Sequence, residues 1–175
     1  MLLIFVLHDT PKAAAELPFI VPPRRELNRL RTAQIETNKG SIFIELYPEE
    51  APLHVANLKY RADKGLFRNT AFHKFSPGYV IQGGGSPAAS KPQRYALSAE
   101  FNSHRHERGT IGMARVEDVI NPERLSDASQ FYILLMDAPH MDGKYTAFGK
   151  VIRGFSVLDK LRKGDTITEV RVFVR

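Results

Sequence analysis

Between Phe72 and Gly85 the chain reads Phe-His-Lys-Phe-Ser-Pro-Gly-Tyr-Val-Ile-Gln-Gly-Gly-Gly. Pro77-Gly78 is a turn pair, because proline presets φ and glycine accepts φ > 0. Tyr79-Val80-Ile81 suits a pleated, half-buried surface. The stretch therefore reads as strand, tight turn, strand. It carries a cation (Lys74), an aromatic ring (Tyr79) and a neutral amide (Gln82) that both donates and accepts hydrogen bonds. The three glycines permit close backbone approach or a bend at a sheet corner. Two readings stand open: a pocket floor for a neutral, peptide-like ligand, or a core hairpin whose Lys74 snorkels to water.

The rest of the chain repeats the short-strand pattern. Thr32 to Thr37 and Ser41 to Leu46 alternate around an Asn38-Lys39-Gly40 turn, a hairpin. Pro52 to Lys64 reads as a helix with Val55, Leu58 and Ala62 on one stripe. Glu49 and Glu50 precede it, which suits the helix dipole, and Gly65 stops it. Further strands are expected at Leu97–Phe101, Thr110–Ala114, Gln130–Leu135, Tyr145–Ile152 and Ile167–Val174, and a two-turn helix at Phe155–Lys163 before Gly164. Ser86–Tyr95, Asn102–Arg108 and Arg115–Ala128 read as loops. Such spacing predicts a mainly β fold: a closed eight-stranded antiparallel barrel capped by two α-helices, its ligand groove on the outer face. A closed barrel leaves no edge for pairing, so a monomer is expected.

The chain has 175 residues, 43% hydrophobic and 25% charged, one domain's worth of globular sequence. It has no cysteine, which excludes disulfides, thiolate nucleophiles and Cys-ligated metals. The net charge of +6 permits weak association with polyanions. No module for specific nucleic-acid binding accompanies it, and no apolar run reaches the ~20 residues that span a bilayer. His104-Arg105-His106 is a weak metal motif without supporting ligands, and Gly83-Gly84-Gly85 lacks phosphate-loop spacing. The reading is no metal, no cofactor, no specific nucleic acid and no membrane. Met1–Leu7 is apolar but ends at His8-Asp9 without a basic n-region, a poor signal peptide. The expected compartment is the cytoplasm, with the periplasm as the alternative because Ala13-Ala14-Ala15 faintly resembles a cleavage site. Residues 1–31 are expected to be an N-terminal extension, extended or partly disordered; Arg24–Arg31 has the pattern of a short basic helix.

Three ordered blocks carry a resemblance. The first is Phe72-His73-Lys74 with Pro77-Gly78-Tyr79 and Gln82-Gly83-Gly84. The second is Met113-Ala114 with Ser129-Gln130-Phe131-Tyr132-Ile133. The third is Met141-Asp142-Gly143-Lys144-Tyr145 with Phe148-Gly149-Lys150-Val151. Over 32–175 the chain resembles the cyclophilins, a family of peptidyl-prolyl cis/trans isomerases. Arg115 after Ala114, and Tyr145, resemble its bacterial branch.

The resemblance implies a groove that binds proline-containing peptides and protein clients and accelerates rotation about the X-Pro bond, assisting folding. Lys74 stands where the family has its catalytic Arg. Tyr79, Val80, Tyr132 and Met141 would line the proline pocket; Gln82 and Arg115 would bind substrate backbone; Ala114, Gln130, His140 and Tyr145 would complete the groove. Asn57 would tie its helix to neighbouring backbone, Phe131 would be core, and His73 a packed structural residue. Three departures bear on function, one being the long, charged Arg115–Ala128 loop after the groove-lining strand, which reads either as a solvated loop or as a selector of the proteins that reach the groove. Lys74 keeps the charge but loses the planar fork of Arg, so weakened catalysis is expected, with Arg115 supplying part of the missing donor. His140 stands where the cyclosporin-sensitive branch carries Trp, so weak or no cyclosporin binding is expected. The rival reading is a weakly catalytic or non-catalytic proline-peptide binding module or chaperone.

Overall fold

The computed structural model describes residues 16–85 and 95–175. The readings placed on 1–15 and on most of the Ser86–Tyr95 loop lie outside these residues. The hairpin predicted around Asn38 forms from β1 (Thr32–Thr37) and β2 (Gly40–Leu46), and α2 (Pro52–Asp63) follows a one-turn α1 (Arg24–Leu27) in chain order. Next come β3 (Thr70–Ala71), β4 (Lys74–Ser76), β5 (Val80–Gly84), β6 (Ala96–Leu97), β7 (Thr110–Met113), β8 (Ser126–Asp127) and β9 (Gln130–Leu134). A 3-10 turn at Pro139–Met141, β10 (Ala147–Arg153), α3 (Phe155–Leu158) and β11 (Thr166–Phe173) complete the fold.

The mainly β architecture with two capping helices, α2 and α3, is as expected, but the closed eight-stranded barrel is not. The main sheet has nine strands in the order β3-β11-β1-β2-β10-β7-β9-β5-β4, and β3 and β4 do not pair. The sheet is an open half-barrel. The cause lies in the chain itself: β3 and β4 are successive segments of one run, separated by Phe72 and His73. Thr70–Ala71 pairs with β11 and Lys74–Ser76 with β5, so this run passes from one edge to the other and the seam is crossed covalently. The edges are two and three residues long, too short to template another strand well.

Several boundaries move for identifiable reasons. The Phe155–Lys163 helix is a single turn, because hydrogen bonds switch to the tighter i−3 pattern at Lys160 and Leu161. The Leu97–Phe101 strand stops at Leu97. Beyond it the backbone turns to deliver Glu100 to the start of α2, where its carboxylate accepts from Leu53 N at 2.9 Å and His54 N at 3.0 Å. Glu100 thus caps a helix that has no acidic residue in its own first turn. The same carboxylate holds buried His54 through Nδ1 at 2.6 Å, and His54 Nε2 reaches Ser126 Oγ at 3.0 Å. Ser126 belongs to β8, a short strand inside the region read as the Arg115–Ala128 loop, paired with β6.

The main hydrophobic core is built by α2 together with the buried face of the sheet. It includes Val55, Leu58, Ile35, Ile44, Phe72, Ile81, Phe131 and Ile133. Asn57, also buried, donates from Nδ2 to Ala128 O at 2.8 Å, tying α2 to the bend between β8 and β9. Residues 16–31 lie against this core: Leu27 and Leu30 are buried, and Phe19 stacks on Tyr60 with ring centroids 5.3 Å apart.

Replacing Glu100 by Ala removes the cap from two backbone N–H groups and strips His54 of its partner. Urea denaturation of Glu100→Ala is expected to show a loss of about 2–3 kcal/mol. A loss below ~0.5 kcal/mol would mean that water caps the helix equally well.

Candidate active site

The two faces of the sheet divide the labour residue by residue. Side chains alternate along a strand, so residues in register across paired strands share a face. Phe75, Ile81, Ile133 and Ile111 are in register and point into the core, where the three isoleucines are fully buried. The next row is Lys74, Gln82, Tyr132 and Gly112, one residue from each of β4, β5, β9 and β7, on the opposite face. Paired strands lie ~4.8 Å apart, so a cation, an amide, a phenol and a gap stand in line within about 15 Å. The Pro77-Gly78 turn holds β4 to β5: Gly78 has φ 68° and Tyr79 N donates to Ser76 O at 3.0 Å.

Lys74 is exposed, and it is not among the lysines that form ion pairs within the described residues. Gln82 is held by a relay: its Nε2 donates to Gln130 Oε1 at 2.9 Å, and Gln130 Nε2 to Asp127 Oδ2 at 3.1 Å. Asp127 is fixed in turn by Ser129 N and Oγ, both at 2.7 Å. Gly84, with φ 74°, lets β5 approach this corner; a Cβ there would sit 2.4 Å from Ser129 O. Ala114 borders the relay, its N–H donating to Gln130 O at 2.9 Å.

Beside the row lies a small apolar cluster separate from the main core. Tyr132, Leu134, Ala138 and Met141 form it, and half-buried Tyr79, Val80 and Tyr145 pack against it. Five of these seven are the pocket and groove residues read from the sequence. Leu134 follows Tyr132 by two along β9, so strand alternation alone could have found it; Ala138 gave no such signal. The cluster is well filled, with Tyr132 3% and Met141 7% exposed, and its open side is the rim of Tyr79, Val80 and Tyr145. A separate apolar cavity of about 450 Å³, lined by Phe43, Ile152 and Phe173, carries none of these groups.

His140 is exposed on the 3-10 turn, its Nε2 2.9 Å from Tyr79 Oη, which also lies 3.6 Å from Met141 Sδ. Arg115 is less available than its type suggests. Its side chain is 4% exposed and its guanidinium lies over the Tyr145 ring at 4.3 Å. Nε donates to Lys144 O at 3.0 Å, and Nη1 to Asp118 Oδ1 at 2.6 Å, which holds the Asp118 carboxyl below its ordinary range. Tyr132 Oη meets His106 Nε2 at 3.0 Å, a contact with no sequence signature, and burial pushes the Tyr132 phenol well above its ordinary pKa. His104 turns elsewhere, stacking on Tyr47 with ring centroids 3.6 Å apart, so the two histidines face different neighbours. Phe131 is core, and His73 bridges the seam, its N–H donating to Gln82 O at 3.0 Å.

These residues fall within a larger match. The family described as "Cyclophilin type peptidyl-prolyl cis-trans isomerase/CLD" matches residues 32–174. The chain belongs to this family. Its activity is peptidyl-prolyl cis-trans isomerisation. A peptidyl-prolyl cis-trans isomerase of Helicobacter pylori is 37% identical over 150 residues, covering 83% of this chain and 88% of the relative. Peptidyl-prolyl cis-trans isomerase B of Bacillus subtilis is 37% identical, covering 76% and 91%. A crystal structure of a cyclophilin type isomerase from Cryptosporidium parvum superposes with a TM-score of 0.74 at 25% identity, covering 83% of this chain and 98% of that one. A second structure of that protein, in the presence of the dipeptide Ala-Pro, gives 0.69 at 25% identity, covering 82% and 99%.

The row leaves no room for a side chain at Gly112. A Cβ there would lie 2.3 Å from Tyr132 Oη and 2.7 Å from Thr146 O, and the second contact is backbone. Gly112→Ala is expected to cost about 1–3 kcal/mol in thermal or urea unfolding. Wild-type stability would show that Tyr132 can leave its position freely.

Proposed function

We propose that isomerisation of X-Pro bonds takes place across the Lys74–Gln82–Tyr132 row, with the proline ring on the apolar cluster and Lys74 as the catalytic group. The amide barrier of ~18–20 kcal/mol comes from resonance. As the bond twists, the prolyl nitrogen loses conjugation, pyramidalises and becomes basic. A cation that meets this nitrogen only in the twisted state lowers the barrier, at tenfold in rate per ~1.36 kcal/mol. Tyr132, Leu134, Ala138 and Met141 serve as the floor for the ring, and Tyr79, Val80 and Tyr145 as its rim. Gln82, oriented by Gln130 and Asp127, holds substrate backbone beside Ala114, so that one side of the bond is fixed while the other rotates. Arg115 acts through Tyr145, which it braces, rather than as a substitute donor. The observation that carries this reading is the alignment of Lys74 with Gln82 and Tyr132 across paired strands. Proline-containing peptides and protein clients are the substrates this groove suits, and a monomer suffices for it.

Lysine offers one rotatable ammonium where arginine offers a fixed fork. Lys74→Arg is therefore expected to raise kcat/KM for an Ala-Pro peptide about tenfold in a protease-coupled assay. Equal or lower activity would show that the ammonium is not what limits the rate.

The rim at His140 lacks the indole surface and N–H that a large apolar cyclic ligand would use. Calorimetry is expected to find cyclosporin binding at micromolar affinity or weaker, and His140→Trp to tighten it about tenfold. Nanomolar binding by the wild type would refute this account of the rim.

A further inference from the structure

His106 is buried, 2% exposed, and has no part in the isomerisation as described. Its backbone N–H and its Nδ1 both meet Asp142 Oδ1, at 2.7 and 3.0 Å. A carboxylate at Nδ1 places the ring proton there and leaves Nε2 an acceptor. Nε2 lies 3.0 Å from Tyr132 Oη, so the phenol donates. The two rings run side by side, centroids 6.3 Å apart. An unpaired hydroxyl in an apolar floor is costly, and the imidazole nitrogen is the acceptor this one has.

We propose that His106 is a positioning residue: held by Asp142, it tethers the Tyr132 hydroxyl, fixes the ring that floors the proline slot, and weakens substrate binding when protonated. The proposal rests on the slot reading of Tyr132. Neutral imidazole accepts the phenol proton. Imidazolium presents N–H at both ring nitrogens, so the bond reverses: Nε2 donates to Oη, and the phenol proton, turned away, is left without its acceptor in an apolar floor, which unsettles the seat of the ring. The groups facing His106 set when this happens. Burial is the largest influence and holds His106 below its ordinary value of 6.5; His140 pushes the same way and Asp142 opposes. Asp142 is itself held low, first by the His106 backbone N–H and to a lesser extent by Arg105, and so stays charged. Tyr132 stays a neutral phenol. The slot is therefore intact at neutral pH and loosens in acid.

The test uses NMR titration of the His106 ring together with exchange kinetics on an Ala-Pro peptide between pH 7.5 and 5. Wild-type kcat/KM is expected to fall about threefold across this range, through a rise in KM rather than a fall in kcat. In Tyr132→Phe the acid fall disappears. The His106 midpoint there rises by about half a unit, because a donor that favoured the neutral ring is gone. His106→Gln, whose Oε1 accepts from the phenol, keeps the neutral-pH KM and loses the acid fall, whereas His106→Leu raises KM. An unmoved His106 midpoint in Tyr132→Phe, an acid fall that persists there, or a KM in His106→Gln as high as in His106→Leu would each overturn the tether. If Tyr132→Ala leaves KM unchanged, the slot reading itself fails and the positioning role with it. The NMR midpoint separates the two failures, since it reports the hydrogen bond without reference to activity.

Discussion

Strand register is the constraint on which this site depends. With a side-chain period of two, a slip of one residue between β5 and β9 would send Ile133 outward and Tyr132 into the core. Register is secured from the buried side, where Ile81, Ile133 and Ile111 meet with no exposed surface. The packing that stabilises the fold and the alignment that brings Lys74, Gln82 and Tyr132 into line are thus two faces of one arrangement. A rotation catalyst suits this economy, because it makes no covalent intermediate and needs its groups only at fixed spacing.

Around that sheet, the polar groups are held by partners distant in sequence. Glu100 caps α2 from 46 residues away and fixes His54, which holds β8 through Ser126. β8 ends in Asp127, the anchor of the Gln130–Gln82 relay. A continuous set of hydrogen bonds therefore runs from the start of a helix on one side of the core to an amide on the other. Buried polar groups connected in this way are costly to leave half-satisfied, which fixes a single arrangement.

How much of this was legible in the sequence follows from the range of each interaction. The Pro77-Gly78 hairpin and the core strands could be read because turn chemistry and alternation are local, whereas the site residues came from the resemblance of three motif blocks. Tyr79, Val80, Tyr132, Met141 and Tyr145 do come together, as the motif blocks imply. The open seam could not be read: the strand expected from Phe72 into the Pro77-Gly78 turn gives no sign that Thr70–Ala71, just before it, pairs at the opposite edge. Nor could Glu100, His106 or Asp142 be assigned roles, since each acts on a partner 26 to 46 residues away. Arg115 misled for a different reason. Residue type announces a guanidinium but not that Asp118, Lys144 O and the Tyr145 ring already occupy it.

The seam at Phe72-His73 has a mechanical consequence. β4 is three residues long, lies at the margin of the sheet and is laddered on one side alone, to β5. Marginal strands of this kind are the most compliant parts of a sheet, while β9 and β7 are gripped on both sides. On the proposed reading the ammonium is therefore mounted on the yielding border and the proline floor on the rigid interior, like a follower arm set against a fixed bearing. On that reading a substrate that swings through half a turn would be tracked by the charge without disturbing the seat of its ring.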